Sequence, residues 1–173
     1  MDNNVLQTRR YKEEPLAGWK PYWADTQKIL SSNAYARIHD KTQVVYLLPH
    51  DHITNRSLHV QLVSLFSRNI ALQLHLDSSL TEAISIGHDL GHPPFGHEGE
   101  LYLNTLSEEK GLGPFSHAAQ ACRLCEEIEP MNLTLAVLDG FLSHDGGMRD
   151  KALFVEGGST WEAFDAKKLI RAK

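Results

Sequence analysis

The chain has 173 residues, 42% hydrophobic and 23% charged, with a formal net charge of −5. This length predicts a single domain with its own core, and the acidic balance gives no indication of nucleic-acid binding. No apolar run approaches the roughly 20 residues that span a bilayer, and the N-terminus lacks the pattern of a secretion signal, so we expect a cytoplasmic protein.

The first segment, residues 1–24, is predicted to be an irregular N-terminal arm. It combines prolines with aromatic residues and shows little periodicity. Residues 25–40 carry isolated apolar positions that are compatible with short helices. Thr42 to Leu48 favours an extended or turn segment, which ends at Pro49. We therefore place the start of the core domain at residue 25.

From Ser57 to Leu74 the pattern predicts an amphipathic helix. Its apolar stripe comprises Leu58, Leu62, Leu65 and Phe66, extended by Val63, Ile70 and Leu74. A second helix is predicted from Ser79 to Leu90. It opens with the capping-box pattern Ser79-x-x-Glu82 and stops at Gly91, a typical C-terminal signal.

The rest of the chain is also predicted to be helical, after a tight loop at 91–96 that contains two prolines and two glycines. We predict three more helices: about 97–106, 116–129, and one capped by Asn132 that runs through Leu142. The core domain is expected to end at residue 147, and residues 148–173 to form a linker and one more helix. Because no strand-like alternation is evident, the predicted class is mostly α.

Two cysteines, Cys122 and Cys125, form a C-x-x-C pattern inside the helix predicted over 116–129. Two thiolates cannot close a four-ligand zinc site alone, and the strand and turn of a redox motif are missing. We therefore predict core or half-buried packing for both thiols, in a reducing compartment.

The ten histidines are numerous beside seventeen lysines and arginines, and several lie close together in the sequence. The pair His88 and Asp89 combines ligand types that suit divalent transition metals. Taken alone, the dipeptide is more typical of an ordinary buried hydrogen-bonded pair. The glycine and proline loop that follows, and His97 and Glu100 sharing the next helix face, favour a metal site. His59 is the natural candidate for a third ligand.

The segment His88 to Glu100 reads HDLGHPPFGHEGE and resembles the signature of dGTPase-like deoxynucleoside triphosphate triphosphohydrolases in the HD domain superfamily. Similar motifs follow the family order: Arg37-x-x-x-Lys41-Thr42-Gln43-Val44, Arg56-x-x-His59, Phe115 to Gln120 with Arg123, and Asn132-Leu133-Thr134 with Gly140-x-Leu142-x-His144. The resemblance covers about residues 25 to 165 and implies a helical HD-domain bundle.

This resemblance implies metal-dependent hydrolysis of dGTP or another deoxynucleoside triphosphate to a deoxynucleoside and triphosphate. His59, His88 and Asp89 would be three of four protein ligands to one divalent metal, which would activate water for attack on the α-phosphorus. The metal could be Mn, Mg, Fe, Co, Ni or Zn. His97 and Glu100 would form the catalytic pair, in which the carboxylate orients the imidazole that handles the proton.

The resemblance also implies how an acidic protein would bind a polyanion. Gln43 would contact the deoxyribose, and local cations would neutralise the phosphates: Arg56, His92, His117 and Arg123. His144 receives no role, because an imidazole at a helix C-terminus is favourable without one. Homo-oligomers are common in the family, so we expect one here.

Two features depart from the family pattern. Ser116 and Ala118 stand where the family usually has glutamate and asparagine. The family's fourth metal ligand, an aspartate on a later apolar helix, has no counterpart in residues 148–173, although Asp145 or Asp150 is a speculative substitute. We therefore expect an N-terminal fragment with weak or absent activity and with apolar core surface left exposed.

Two alternatives stay open. The chain could be another HD-family phosphohydrolase, acting on nucleoside monophosphates or a signalling nucleotide, but the Pro93 to His97 loop and the Lys41 to Gln43 segment argue against this. It could also be a catalytically weak, nucleotide-binding regulatory subunit, which the missing ligand would suit. Metal content would distinguish an enzyme core from such a subunit.

Overall fold

The computed structural model describes residues 3–12, 18–44, 52–144, 147–149, 152–154 and 160–171. In chain order its helices are α1 (Asn3–Leu6), α2 (Pro21–Leu30), α3 (Asn33–Ile38), α4 (Arg56–Gln73), α5 (Ser78–Gly87), α6 (Gly96–Glu109), α7 (His117–Arg123), α8 (Leu135–Ser143) and α9 (Trp161–Arg171). A π-helical turn, Leu124–Ile128, continues α7. Two strands, β1 (Gly147–Arg149) and β2 (Ala152–Phe154), pair antiparallel. The mostly α class is confirmed, while the short hairpin was not predicted.

Helix α5 lies at the centre of the packing, against α2, α4 and α8. Its contact with α8 depends on two glycines: a Cβ on Gly87 would lie 2.3 Å from the Phe141 ring, and one on Gly140 would lie 2.4 Å from the Ile84 side chain. The largest fully buried apolar side chains are Phe141, Phe164, Ile29, Ile38, Leu133, Leu135, Leu138, Leu142, Val60 and Val137. Burying each contributes about 1.5–3 kcal/mol to folding.

Helix α5 begins earlier than predicted because Asp77 is its N-cap. The Asp77 carboxylate accepts hydrogen bonds from the backbone nitrogens of Ser79 and Leu80, at 2.9 and 3.2 Å. The predicted capping box is therefore wrong, since Asp77, two residues before Ser79, caps the helix instead. The helix ends at Gly87, with His88 at the C-cap. Asp89 consequently lies beyond the last helical turn.

Helix α4 confirms the predicted element, but its large apolar side chains face outward. The exposed members of the predicted apolar stripe are Leu58, Leu62, Leu65, Phe66, Ile70 and Leu74. The side of α4 that packs against the core carries mostly small or polar side chains. Its buried residues are Arg56, Ser57, Val60, Ser64 and Ala71. Periodicity shows that a helix has an apolar stripe, but not which neighbour will cover it.

The N-terminal arm is tied to the start of α8. Arg9 Nη1 forms an ion pair with the fully buried Asp25 and donates to the Asn132 carbonyl. The other Asp25 oxygen accepts from the backbone nitrogen and the hydroxyl of Thr134, at 3.0 and 2.6 Å. Thr134 is the N-cap of α8, so the prediction that Asn132 caps this helix is wrong. Asn132 instead pairs with the backbone of Tyr11.

The bounds of the other elements differ less from the predicted ones. The predicted arm boundary after residue 24 falls inside α2, and α6 extends past the expected end near residue 106, to Glu109.

Both cysteines are buried and free, as predicted, and burial raises the pKa of the Cys125 thiol to about 12. Residues 45–51, Asp145 and Asp150 lie outside the described part of the chain.

Candidate metal centre

The site is built around the turn that follows α5. The chain bends there, with the His92 nitrogen donating to the Asp89 carbonyl at 3.1 Å. Gly91 lies against the backbone of α7, where a Cβ would be 2.0 Å from the His117 carbonyl oxygen and 2.4 Å from the Ala121 nitrogen. Any larger residue would push the turn and α7 apart. Glycine at this position therefore brings His117 close to the His88 and Asp89 pair.

His59, His88 and Asp89 place one donor atom each within 4.8 Å of one another. His59 Nε2 lies 3.8 Å from Asp89 Oδ2, and His88 Nε2 lies 3.2 Å from Asp89 Oδ1. His88 Nδ1 lies 2.8 Å from the Ser85 carbonyl, which can only accept, so this nitrogen carries the proton. The Nε2 lone pair is then left for a cation, as in other metal sites with a backbone-anchored histidine.

The protonation states of His88 and Asp89 fit a divalent metal. Burial lowers the pKa of His88, which favours the neutral ring that metals require. Burial acts to raise the pKa of Asp89, but His88 and Arg56 outweigh it and keep this pKa below its ordinary value. Two imidazoles and one carboxylate form a common donor set for transition metals.

Arg56 links this donor set to the segment that contains Gln43. Its Nη1 donates to Asp89 Oδ2 at 2.6 Å, and its Nη2 donates to the Gln43 carbonyl at 3.2 Å. Arg56 Nε and Gln43 Oε1 are buried and have no hydrogen-bond partner among the described residues. Buried polar atoms are rarely left unpaired. These two atoms are thus available to a bound ligand.

His92 is nearly buried, with its Nε2 3.6 Å from Asp89 Oδ1 and its ring stacked on that of His117 at 4.1 Å. Burial, followed by the neighbouring His117, lowers the pKa of His92 to about 3. The ring is therefore neutral near pH 7. A neutral ring can offer a ligand a hydrogen bond, but not the positive charge that the sequence suggested.

Glu100 joins an exposed histidine to a buried one. Its Oε2 lies 3.3 Å from Nδ1 of His97, whose side chain is 82% exposed. Its Oε1 accepts from the backbone nitrogen and Nδ1 of His117, at 2.8 and 2.7 Å. Partial burial acts to raise the pKa of Glu100, but the hydrogen bonds from His117 outweigh it and lower the pKa to about 2. Glu100 is therefore a fixed carboxylate.

His144, which received no role from the sequence, belongs to this cluster. Its Nε2 lies 3.0 Å from His117 Nε2, and its ring lies 4.9 Å from that of His88. The segment Gly140-x-Leu142-x-His144 was a signal, but its spacing alone did not indicate contact with His88. Arg123 lies on the outer end of α7, where it pairs with Glu127 and lines a surface cleft with Gln120 and Lys168.

The structure thus brings nine of the ten predicted site residues into one connected group: Gln43, Arg56, His59, His88, Asp89, His92, His97, Glu100 and His117. This histidine cluster, with His144 added, combines donor atoms for a cation with groups that hold protons at fixed positions. Its chemistry suits hydrolysis of a phosphate ester by a metal-dependent route.

Comparison with known proteins gives a consistent result. The HD domain family model matches residues 56–169. A deoxyguanosinetriphosphate triphosphohydrolase-like protein of Rhodopseudomonas palustris (strain BisB5) is 37% identical over 158 residues, which cover 87% of this chain and 39% of that protein. Its namesake in Rickettsia felis is 39% identical over 150 residues, covering 83% of this chain and 39% of that protein. The chain spans about two fifths of the length of these curated relatives.

No helix in the described part of the chain is long and apolar enough to cross a membrane.

Proposed function

Because the chain belongs to the HD domain family, we propose that it carries the catalytic core of a metal-dependent hydrolase of deoxynucleoside triphosphates. The products would be a deoxynucleoside and triphosphate. The observation that carries this proposal is the convergence of His59, His88 and Asp89 beside Arg56. The names of the similar proteins support the nucleotide class.

A divalent ion held by His59, His88 and Asp89 would supply Lewis acidity toward the phosphoryl group and the attacking water. The protein prepares this site before any ligand binds. Ser85 fixes the His88 ring through its carbonyl, and Arg56 fixes the Asp89 carboxylate. Arg56 also has its unpaired Nε available to a phosphate oxygen, and Gln43 has an unpaired side-chain oxygen available to a sugar hydroxyl.

His97 is the residue that we propose for proton transfer. Its side chain is 82% exposed, so it can reach a bound substrate. Glu100 holds His97 through Nδ1, which leaves Nε2 to give or take a proton at the ester oxygen.

The proposal is tested by measuring triphosphate release from each of the four deoxynucleoside triphosphates with Mn²⁺ present. We expect metal-dependent release that falls by about 10²–10⁴-fold in His97→Ala, the usual contribution of a positioned acid or base. His75→Asn is the matched control, because His75 is exposed and has a left-handed backbone that asparagine tolerates. Release that is equal in His97→Ala and His75→Asn, or release that does not depend on the metal, would refute the proposal.

A further inference from the structure

Lys41 is a half-buried cation beside the histidine cluster, and it has no carboxylate partner among the described residues. Its Nζ donates to the His92 carbonyl at 2.6 Å, which uses one of the three donors of an ammonium group. Burial lowers the pKa of Lys41, and the neighbouring charges of Arg37 and Arg56 lower it further. Asp89 opposes this shift, but its carboxylate is already paired with Arg56. Because charges that leave water are usually paired, Lys41 has the surroundings of an anion-binding group.

Arg37 shares this lack of a negative partner, which is unusual in the molecule. Five arginines in the described part of the chain pair with a carboxylate: Arg9, Arg10, Arg56, Arg68 and Arg123. Arg37, exposed in the last turn of α3, has no such pair among the described residues. Carboxylates are not scarce, since the chain has a net charge of −5. Two cations without counter-charges thus lie close together, and an anion between them would relieve their repulsion.

We propose that Arg37 and Lys41 form a subsite for the end of a polyphosphate that lies farthest from the metal donors. The identity of this ligand rests on the proposed function. Burial decreases along the three neighbouring cations: Arg56 is buried, Lys41 is half-buried and Arg37 is exposed. Positive charge therefore continues from Asp89 toward the surface, and a phosphate chain held at its inner end would follow it outward.

The backbone fixes the position of Lys41 before any anion binds. Its carbonyl accepts from the Arg56 backbone nitrogen at 2.8 Å, and the next residue, Thr42, forms a bridge with Asn55, the N-cap of α4. The hydrogen bond to the His92 carbonyl holds the other end of the side chain. A preformed ammonium group loses little freedom when a ligand arrives, which favours binding.

The competing explanation is that Lys41 only ties its own segment to the turn that contains His92. A tether needs one N–H donor, which the amide of glutamine also supplies. An anion subsite needs the positive charge, which arginine keeps and glutamine lacks. The two explanations therefore predict different anion affinities for Lys41→Gln and Lys41→Arg.

The test is isothermal titration calorimetry of the full chain with inorganic tripolyphosphate, at low ionic strength and with EDTA present so that no metal takes part. We expect Lys41→Gln to weaken binding by about 10–100-fold, the usual effect of losing a charge-assisted hydrogen bond. Arg37→Gln should weaken it by about 2–5-fold, because charges in contact with solvent interact less strongly. Lys41→Arg should bind more tightly than Lys41→Gln. Lys110→Gln is the matched control, because Lys110 is an exposed lysine at the C-cap of α6.

A wild-type chain that binds no tripolyphosphate, or binds it as tightly after Lys41→Gln and Arg37→Gln, would overturn the subsite. Either result would leave the proposed function standing, because metal-dependent release from deoxynucleotides is measured separately. Binding that depends on Lys41, together with release that does not need the metal, would refute the proposed function and support the subsite. Circular dichroism checks the fold of each variant, and if Lys41→Gln is unfolded, the exposed Arg37→Gln decides the outcome.

Discussion

A single carboxylate, that of Glu100, sets the orientation of both a surface and an interior histidine. Its two oxygens are divided between His97 and His117. His97 is exposed to solvent, while His117 is packed between His92 and His144. The two rings therefore depend on the same group although they face different surroundings.

We predict that Glu100→Gln lowers the rate of triphosphate release by about 10–100-fold, the usual effect of losing a residue that orients a catalytic or ligand histidine. The amide keeps the size of the side chain but removes its charge. Glu98→Gln is the matched control, because Glu98 is exposed on the same helix. An equal loss in both variants, or none in Glu100→Gln, would contradict the role given to Glu100.

At the scale of single residues, the sequence predicted most of the side chains that the structure brings together. The residues from His88 to Glu100 lie in one short motif, so their proximity is a matter of local geometry. His144 could not be assigned, because its contacts depend on the packing of α8 against α7 and α5. The sequence also could not predict that the His92 ring is neutral, because the low pKa of this ring results from its burial. The roles of all these residues stay predictions until they are measured.

Among the helices, α5 matters most for the site, because its end determines where His88 and Asp89 lie. The sequence predicted the helix from its periodicity but misplaced both ends. Ser79 and Glu82 match a capping box as well as Asp77 matches a simple N-cap, and only the observed hydrogen bonds decide between them. The π-helical turn after α7 has no sequence signal that we recognise.

We predict that Asp77→Ala lowers the free energy of unfolding by about 1 kcal/mol at neutral pH, the usual value of an N-cap. Partial burial acts to raise the pKa of Asp77, but hydrogen bonds from Ser79 and Leu80 outweigh it and lower the pKa. A folded-state pKa below the unfolded one stabilises the protein above the unfolded pKa, and this is lost as the pH falls through the folded value.

The difference between wild type and Asp77→Ala should therefore shrink in acid. Urea unfolding at neutral and acidic pH measures it, with exposed Asp40→Ala as the control. Asp77→Asn should keep most of the stability at neutral pH, because asparagine also caps helices. A difference that is constant with pH would contradict the assignment.

The contact between the turn at Gly91 and helix α7 gives a second prediction for this level of structure. Gly91→Ala would place a Cβ within 2.4 Å of two backbone atoms, neither of which can rotate away. We expect a loss of about 1–3 kcal/mol in the free energy of unfolding, typical of overpacking, together with weaker Co²⁺ binding. Gly111→Asn is the control, since a Cβ there meets open space and asparagine tolerates its left-handed backbone. Unchanged stability in Gly91→Ala would contradict the close approach.

Considered as a whole, the molecule exposes an apolar surface along α4. Leu62, Phe66 and Ile70 line a groove there together with Leu76, and the Phe66 side chain is largely exposed. Large exposed apolar patches are typical of surfaces that associate. The helical class was predictable from periodicity, but the direction of this face was not, because it depends on which elements pack against α4.

We predict that the chain self-associates through this face, in line with the homo-oligomer expected from the family resemblance. Phe66→Lys should lower the average mass measured by light scattering at micromolar protein concentration, because a charge in the groove opposes association. Leu112→Lys, at an exposed position in the loop after α6, is the control. A monomeric wild-type chain, or a mass that Phe66→Lys leaves unchanged, would contradict this prediction.

The ion pair between Arg9 and Asp25 makes the N-terminal arm part of the folding unit. Removal of the arm would leave the fully buried Asp25 with Thr134 but without its positive partner. Breaking such a pair on one side usually costs about 3–5 kcal/mol, a large share of the stability of a small domain. A truncated version that begins at α2 would therefore fold less stably than the intact chain. The arm and the histidine cluster should unfold in one cooperative transition.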